Sequence, residues 1–211
     1  MLPLDDRTAD RANADIAGRP TLIHGNSQLL FSGMGRLSEN SVVSIKNKSF
    51  SVTAEVEVPE GGANGVIIAQ GGRFGGWSVY VKDGKTKFVY NVLGIQEFAT
   101  EADAPIPAGT HQVRMEFAYD GGDWARGDVT LYHDGAQVGS GRVGATQALI
   151  FSADETTDVG YESGTAVSPD YSPQSSRFTG KIHWVQIDLG DDDNDHFIDP
   201  EERLRIAMAR Q

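Results

Sequence analysis

Residues 50–58 alternate strictly between apolar and polar side chains. Every second residue from Phe50 to Val58 is apolar, and Ser51, Thr53, Glu55 and Glu57 fill the positions between. Successive side chains of an extended chain point to opposite faces, so this period of two predicts a strand with one buried face. The turn-forming residues 59–62, Pro-Glu-Gly-Gly, end the strand.

Two Asp-Gly pairs predict tight hairpins. Asp83-Gly84 separates residues 77–82 from residues 87–92, and Asp134-Gly135 separates residues 128–133 from residues 137–141. Such pairs provide the left-handed backbone that a two-residue hairpin turn requires. Further strands are predicted at residues 65–70, 113–119 and 178–189. In the last of these, Ile182 and Trp184 are expected on one face, with Val185 and Ile187 at positions between them.

These short strands, with turns every eight to twelve residues, define the fold class. They predict an all-β protein, an antiparallel jelly-roll β-sandwich with a short C-terminal helix. The count of 25 glycines in 211 residues agrees with a protein rich in turns. We expect a lead-in segment at residues 1–20, the sandwich at residues 21–190, and an acidic loop followed by the helix at residues 191–211.

The negative charge of the chain is local. The formal net charge is −12, but residues 188–202 contain eight acidic residues and no Lys or Arg. Because a basic patch is missing, neither nucleic acid nor an anionic membrane surface is an expected partner. The chain has no cysteine, which excludes disulfides and thiolate metal sites. Its first residues lack the features of a signal peptide, and no apolar run approaches the length of a membrane span.

The acidic segment matches the spacing of an EF-hand-type calcium loop. Positions 1, 3, 5, 7, 9 and 12 of such a loop would be Asp191, Asp193, Asp195, Phe197, Asp199 and Glu202. This spacing would place six to eight oxygen atoms around one calcium ion, with Ile198 as the apolar residue at position 8. Position 6, normally Gly because the backbone turns left-handed there, is His196, so we expect weakened affinity.

A second interpretation of the same segment needs no metal. Asp199, Pro200 and Glu202 form a helix start, with an N-cap, a proline in the first turn and a capping box. On this view the preceding aspartates form a solvated loop. The sequence leaves both interpretations open.

Three other motifs have alternative interpretations. The glycine-rich residues 69–77, AQGGRFGGW, are expected to join two strands, because no P-loop residues follow. Arg73 and Trp77 are candidate partner contacts, and for Trp77 the favoured alternative is the start of a core strand. Asp154, Glu155 and Asp158 form either a turn held by its own side chains or a second acidic site. Glu55, Glu57 and Glu60 faintly resemble the acid and base pattern of laminarinase-like glycosidases, but solvated strand positions are the favoured interpretation.

The strand segments resemble concanavalin A-like and laminin G-like sandwiches. The similar stretches are GWSVYVKDGKTKFVYNV, AGTHQVRMEFAYD, DVTLYHDGAQVGSGRV and FTGKIHWVQIDL. This resemblance implies the fold and leaves the ligand open.

A longer resemblance is to the C-terminal region of large bacterial arylsulfatases. It is carried by residues 40–84, by IPAGTHQVRMEFAYDGG, by FSADETTDVG and by DPEERLRIAMARQ, and LPLDDR is similar to the join with a preceding catalytic domain. Catalysis in that family depends on a formylglycine made in a CxPSR or SxPSR motif, which this chain lacks. The resemblance therefore implies a non-catalytic accessory domain that packs on a catalytic sulfatase domain or on another subunit, including that of a homo-oligomer. The competing hypotheses are a lectin-like module that binds carbohydrate or calcium, and an independent glycosidase.

Overall fold

The chain forms two antiparallel sheets in a computed structural model. The structure describes residue 23 and residues 25–121, 125–147, 150–152, 154–190 and 196–198. The described strands are β1 (Ser27–Leu30), β2 (Phe50–Val58), β3 (Gly65–Gly72), β4 (Gly75–Lys82), β5 (Lys85–Val92), β6 (Gln96–Glu101), β7 (Gly109–Gly121), β8 (Arg126–His133), β9 (Ala136–Val143), β10 (Thr157–Val159) and β11 (Lys181–Leu189). The helical elements in these ranges are two 3-10 turns, Glu39–Ser41 and Pro173–Ser175. The predicted all-β sandwich is confirmed, while the predicted lead-in and C-terminal helix lie outside the described residues.

The two sheets pack face to face. The six-stranded sheet has the order β1-β11-β2-β7-β8-β9, and the five-stranded sheet has the order β10-β3-β4-β5-β6. The edge strands β6 and β9 contact each other at one side of the sandwich. No helix in the described part of the chain is long and apolar enough to cross a membrane.

The core lies between the sheets and follows the period of two. The apolar side chains of β2 point inward beside those of β7 and face Trp77, Val79 and Phe88 of the five-stranded sheet. Trp77 is fully buried, and its Nε1 donates to Gln70 Oε1 at 2.9 Å. The prediction that Trp77 belongs to the core is therefore confirmed.

Both predicted Asp-Gly turns have the expected backbone. Asp83 and Gly84 have φ angles of 52° and 79°, and Asp134 and Gly135 have φ angles of 50° and 81°. Two consecutive left-handed residues match the twist of the strands that they join.

One strand prediction is wrong in detail. Ile182 and Trp184 were expected on one face of β11, but the register shifts between them. As a result, Ile182 points into the core between the sheets, whereas Trp184 lies on the outer face against Ile198. A β-bulge adds one residue to the strand and so reverses the facing of every side chain beyond it. The prediction that both faces of β11 are covered holds for Trp184 and Val185, which are buried on opposite sides.

Candidate functional site at the turns of the five-stranded sheet

Residues 160–178, here called the strap, cover part of the outer face of the five-stranded sheet. Val167 and Tyr171 of the strap pack on an apolar cluster formed by Val66, Tyr80 and Val89. The Tyr171 hydroxyl donates to Ser78 Oγ at 3.0 Å. The strap therefore buries a second, smaller apolar layer outside the main core.

Asp170 attaches the strap to the sheet by charged hydrogen bonds. Its carboxylate accepts from Tyr80 Oη at 2.7 Å, from Lys82 Nζ at 2.7 Å and from Lys87 Nζ at 2.6 Å. Burial alone would raise the pKa of this carboxyl, but the bonds from the two lysines and the tyrosine outweigh it and lower the pKa. Asp170 is therefore ionised wherever the protein is folded at ordinary pH.

Large apolar side chains are exposed where two hairpin turns of this sheet meet. Phe74 lies in the β3–β4 turn and is 68% exposed, while Leu93 and Ile95 lie in the β5–β6 turn and are 55% and 85% exposed. Ile150 is 48% exposed. We call Arg73, Phe74, Leu93, Ile95 and Ile150 the turn-tip surface.

The two turns touch each other through Gly94. A Cβ atom added at Gly94 would lie 2.8 Å from the Arg73 carbonyl oxygen and 3.6 Å from Phe74 Cα. Gly94 also has a φ of 69°, which glycine adopts without a steric cost. A side chain at this position would push the turns apart.

The buried side chain of Asn91 fixes the positions of the two turns. Its side chain is 1% exposed, and its Nδ2 donates to Arg73 O at 3.1 Å and to Val167 O at 3.0 Å. Its Oδ1 accepts from Gly94 N at 2.9 Å. One buried amide thus joins the two turns and the strap.

Two further side chains fix the backbone of the turn-tip surface. Thr165 Oγ1 accepts from Arg73 N at 2.9 Å and donates to Glu155 Oε1 at 2.8 Å. Gln147 Oε1 accepts from Leu93 N at 3.2 Å, and Gln147 Nε2 donates to Ile150 O at 3.4 Å. The apolar side chains are therefore exposed on a backbone that is held by hydrogen bonds at Arg73, Leu93 and Ile150.

Leu93 adopts a backbone conformation that bulky residues avoid. Its φ is 55°, in the left-handed region that favours Gly, Asn and Asp. Strained residues of this kind persist only where the surrounding structure imposes them, and they concentrate at binding sites. Here the strain accompanies an exposed apolar side chain, which neither the core nor the turn requires.

This arrangement is suited to binding. An exposed aromatic ring can stack on the apolar face of a ligand, two aliphatic side chains extend the contact, and the Arg73 guanidinium can donate hydrogen bonds. Contiguous exposed apolar side chains on a soluble domain commonly mark an interaction site. Sequence reasoning considered Arg73 as a partner contact but missed Phe74, Leu93 and Ile95. The available signals were the phenylalanine between two Gly-Gly pairs and the leucine before Gly94.

The predicted calcium loop is described only in part. Asp191, Asp193, Asp195, Asp199 and Glu202 lie outside the described residues, and Phe197 is the one predicted ligand within them. His196, at position 6, has a φ of 51°, which is the left-handed backbone expected there. Its Nδ1 lies 2.8 Å from Glu116 Oε1, and its ring stacks on Tyr132 at 4.3 Å between centroids.

Residues 196–198 are anchored on the outer face of the six-stranded sheet. Gln112 Oε1 accepts from Ile198 N at 3.1 Å, and Gln112 Nε2 donates to Ile198 O at 3.1 Å. The Ile198 side chain is buried against Trp184. The position next to the expected carbonyl ligand of Phe197 is thus firmly held.

The residues of the second predicted acidic motif, Asp154, Glu155 and Asp158, take part in local hydrogen bonds. Ser152 Oγ accepts from the N–H groups of Asp154 and Glu155 at 3.2 and 3.1 Å, which is the turn held by its own side chains. Asp158 is buried and accepts from Arg36 N and from both the N–H and the hydroxyl of Ser163. Among the described residues, no group of three or more His, Asp or Glu side chains is placed to hold a metal ion.

The glutamates considered for glycoside hydrolysis lie on and beyond β2. Glu55 and Glu57 share its outer face, opposite Gln112 and Thr110 of β7. Glu57 Oε2 is 3.7 Å from His183 Nε2, and Glu60 lies in the turn after the strand.

The fold and the family agree. Two antiparallel sheets packed face to face, with a strap over one of them, define a concanavalin A-like sandwich. The family model described as the concanavalin A-like lectin/glucanases superfamily, of the laminin G type, matches residues 32–188. The chain therefore belongs to this family. No curated protein matches the sequence.

Solved structures of similar fold include a module of a sialidase and a trans-sialidase. The CBM40 of the Ruminococcus gnavus IT-sialidase, bound to α2,3 sialyllactose, aligns with a TM-score of 0.50 and 12% identity, covering 83% of this chain and 97% of that one. The leech intramolecular trans-sialidase complexed with 2,7-anhydro-Neu5Ac aligns with a TM-score of 0.50 and 12% identity, covering 83% of this chain and 27% of that one. At this identity the similarity establishes the fold alone.

Proposed function

We propose that this protein is a carbohydrate-binding module of the lectin type and that it binds glycans at the turn-tip surface. Its membership of a superfamily whose description names lectins and glucanases supports this proposal. The CBM40 of similar fold is itself a carbohydrate-binding protein. Fold alone does not determine function, so the proposal depends on the surface chemistry of this chain.

The observation that carries the proposal is the exposure of Phe74 on a fixed turn. The residue is 68% exposed, while the backbone around it is held by Asn91 and Thr165. A rigid platform loses little conformational entropy on binding, which favours ligand stacking. Arg73 precedes Phe74 in the same turn, and the Glu155 carboxylate lies against the neighbouring Gly72, so both provide polar groups close to this turn.

The test is a glycan array followed by calorimetry with the best binder and the Phe74→Ala variant. We expect the variant to lose affinity by about tenfold or more, because burying a Phe side chain contributes roughly 1.5–3 kcal/mol. The matched control is Met34→Ala, which removes an apolar side chain that is 39% exposed outside the turn-tip surface. Equal affinity of wild type and Phe74→Ala would remove the proposed site, and no binder on the array would remove the proposed function.

We also propose that residues 191–202 bind calcium, with Asp191, Asp193, Asp195, Phe197, Asp199 and Glu202 supplying the oxygen ligands. The left-handed backbone of His196 and the anchored Ile198 support the loop conformation that this requires. A bound cation would also offset the mutual repulsion of the neighbouring aspartates.

Thermal unfolding with EDTA, calcium or magnesium tests the calcium site. A rise in Tm with calcium alone is expected, because an ion that binds only the folded state stabilises it. An Asp193→Ala, Asp195→Ala double variant should lose this rise. An unchanged Tm in all three solutions would leave the helix-capping interpretation of Asp199 and Glu202.

The accessory role in a bacterial arylsulfatase is a separate proposal that rests on the sequence resemblance. The family match and the similar structures described above give it no support. It requires a reading frame that contains CxPSR or SxPSR and continues into Leu2. A coding sequence without such a frame would end this proposal and would leave glycan binding unaffected.

A further inference from the structure

Glu162 is a buried carboxyl group inside the strap. Its side chain is 2% exposed, and its Oε1 accepts from Val167 N at 3.0 Å. Its own N–H donates to Ser176 Oγ at 3.0 Å. Among the residues that the structure describes, no group donates a hydrogen bond to Oε2. A negative charge on Oε2 would therefore be buried without a compensating donor.

Burial is the main factor that disfavours ionisation of Glu162. It raises the pKa of the carboxyl to about 8; the nearby Tyr171 hydroxyl and the hydrogen bond from Val167 N oppose this rise, and the negative charges of Asp158 and Glu155 add a smaller increase. The Tyr171 proton is directed to Ser78. Tyr80, which packs edge-on against Tyr171 at 5.1 Å, directs its own proton to Asp170.

Among the described residues, no Lys or Arg pairs with this carboxyl. Arg177 of the strap lies over the Tyr161 ring at 5.4 Å. Lys82 and Lys87 both pair with Asp170 at 2.7 and 2.6 Å. An uncompensated buried carboxylate is costly, so such a group stays neutral where it can; once Glu162 is ionised, a local rearrangement that brings water or a donor to Oε2 lowers this cost.

A short path of hydrogen bonds connects this carboxyl with the turn-tip surface. Glu162 accepts from the N–H of Val167, and the carbonyl of Val167 accepts from Asn91. The same Asn91 side chain bonds to Arg73 O and Gly94 N. Val167 is thus held on one side by the buried acid and on the other by the residue that aligns both turns.

We propose that Glu162 is a positioning residue of the turn-tip surface: loss of its proton displaces the strap at Val167, releases Asn91 and separates the two turns. Phe74 then no longer lies beside Leu93 and Ile95, so ligand binding weakens in alkaline solution. The effect on a ligand rests on the proposed function, whereas the coupling between the carboxyl and the turns does not.

The test follows backbone amide NMR signals of the full chain between pH 6 and pH 9.5, without ligand. We expect the signals of Val167, Arg73 and Gly94 to shift together with one midpoint near pH 8. The Glu162→Gln variant keeps the acceptor for Val167 N but cannot ionise, so these shifts should be absent.

Two variants make the result specific. Lys46 also has a pKa of about 8, lowered by burial, so Lys46→Gln is the control and should leave the three shifts unchanged. Asn91→Ala interrupts the path to the β5–β6 turn and should keep the shift at Val167 while abolishing that at Gly94; the shift at Arg73 should only become smaller, because Thr165 still joins Arg73 N to the strap. Persistence of all three shifts in Glu162→Gln, or their loss in Lys46→Gln, would overturn the proposal.

A ligand measurement separates this proposal from the proposed function. With the glycan that binds best on the array, affinity should fall about tenfold or more between pH 7 and pH 9 in wild type and stay constant in Glu162→Gln. If no glycan binds at any pH while the amide signals shift as expected, the proposed function fails and the coupling stands. If a glycan binds with the same pH dependence in both proteins, the coupling fails and the function stands.

Discussion

Two turns of the five-stranded sheet share a backbone conformation but differ in side chains. In the β4–β5 turn, Asp83 and Gly84 have φ angles of 52° and 79°; in the β5–β6 turn, Leu93 and Gly94 have φ angles of 55° and 69°. Aspartate and glycine suit this conformation, whereas leucine does not. The first turn is braced by the exposed Asn64, whose Oδ1 accepts from Asp83 N at 2.7 Å, and the second by the buried Asn91.

The difference separates a turn whose residues favour its conformation from one whose conformation is imposed. The β4–β5 turn needs little support because its own residues prefer the left-handed region. The β5–β6 turn is held by Asn91 and Gln147 from outside itself, and it exposes Leu93 and Ile95. The left-handed backbone of Leu93 costs free energy and holds apolar side chains in solvent. We expect such an arrangement only where those side chains contact a ligand or a partner.

The largest expected effect is the pH dependence of the unfolding free energy that Glu162 causes. This residue is linked to the Leu93 turn through Val167 and Asn91. Its pKa in the folded protein is raised to about 8, so the folded state binds more protons than the unfolded state between about pH 4.5 and pH 8. The free energy of unfolding should therefore fall as pH rises across this window, by up to roughly 1.4 kcal/mol per pH unit. Urea denaturation at several pH values checks this, and Glu162→Gln should remove most of the slope.

The next effect contrasts the two asparagines. Asn91→Ala leaves Val167 O without its partner in a buried setting, and Arg73 O and Gly94 N without theirs in a partly buried one, so we expect a loss of about 3 kcal/mol in unfolding free energy. Asn64→Ala, at the exposed turn, should cost only about 1 kcal/mol. Chemical denaturation of both variants measures the difference, and equal losses would contradict the view that the Leu93 turn depends on outside support.

The smallest effect comes from exchanging the strained residue. Leu93→Asn should raise the unfolding free energy by about 0.5–1 kcal/mol, because Asn adopts positive φ more readily than Leu. Asp83→Leu should lower it by a similar amount. If Leu93→Asn stabilises the protein and also weakens glycan binding, the strain serves the binding surface; a stabilised variant with full affinity would show that Leu93 is dispensable.

Local patterns in the sequence were sufficient to predict the positions of the main strands. The alternation at residues 50–58 coincides with β2, and the Asp-Gly pairs mark two hairpins, because period and turn chemistry act over a few residues. The strands β1, β6 and β10 were not predicted. β10 is three residues long and pairs with β3, about ninety residues earlier in the chain, so its existence depends on distant contacts. The facing of Trp184 was missed because a bulge leaves no local signature.

The candidate binding surface could not be derived from the sequence for the same reason. Its side chains come from two turns and from Ile150, and the contact of Gly94 with Arg73 and the buried amide of Asn91 bring the turns together. The acidic segment differs from this surface, because the spacing of its residues along the chain is enough to predict a calcium loop. That prediction stays open, because most of these residues lie outside the described ranges.

The strands β1 and β11 are neighbours in the six-stranded sheet, and Leu189 N donates to Asn26 O at 2.7 Å. The sandwich therefore begins and ends at one place, so a longer polypeptide could carry it as an insertion at a single attachment point. The turn-tip surface belongs to the other sheet. Changing the length of the connections next to Asn26 and Gly190 should thus alter the reach of the module while its own strand pairing stays intact.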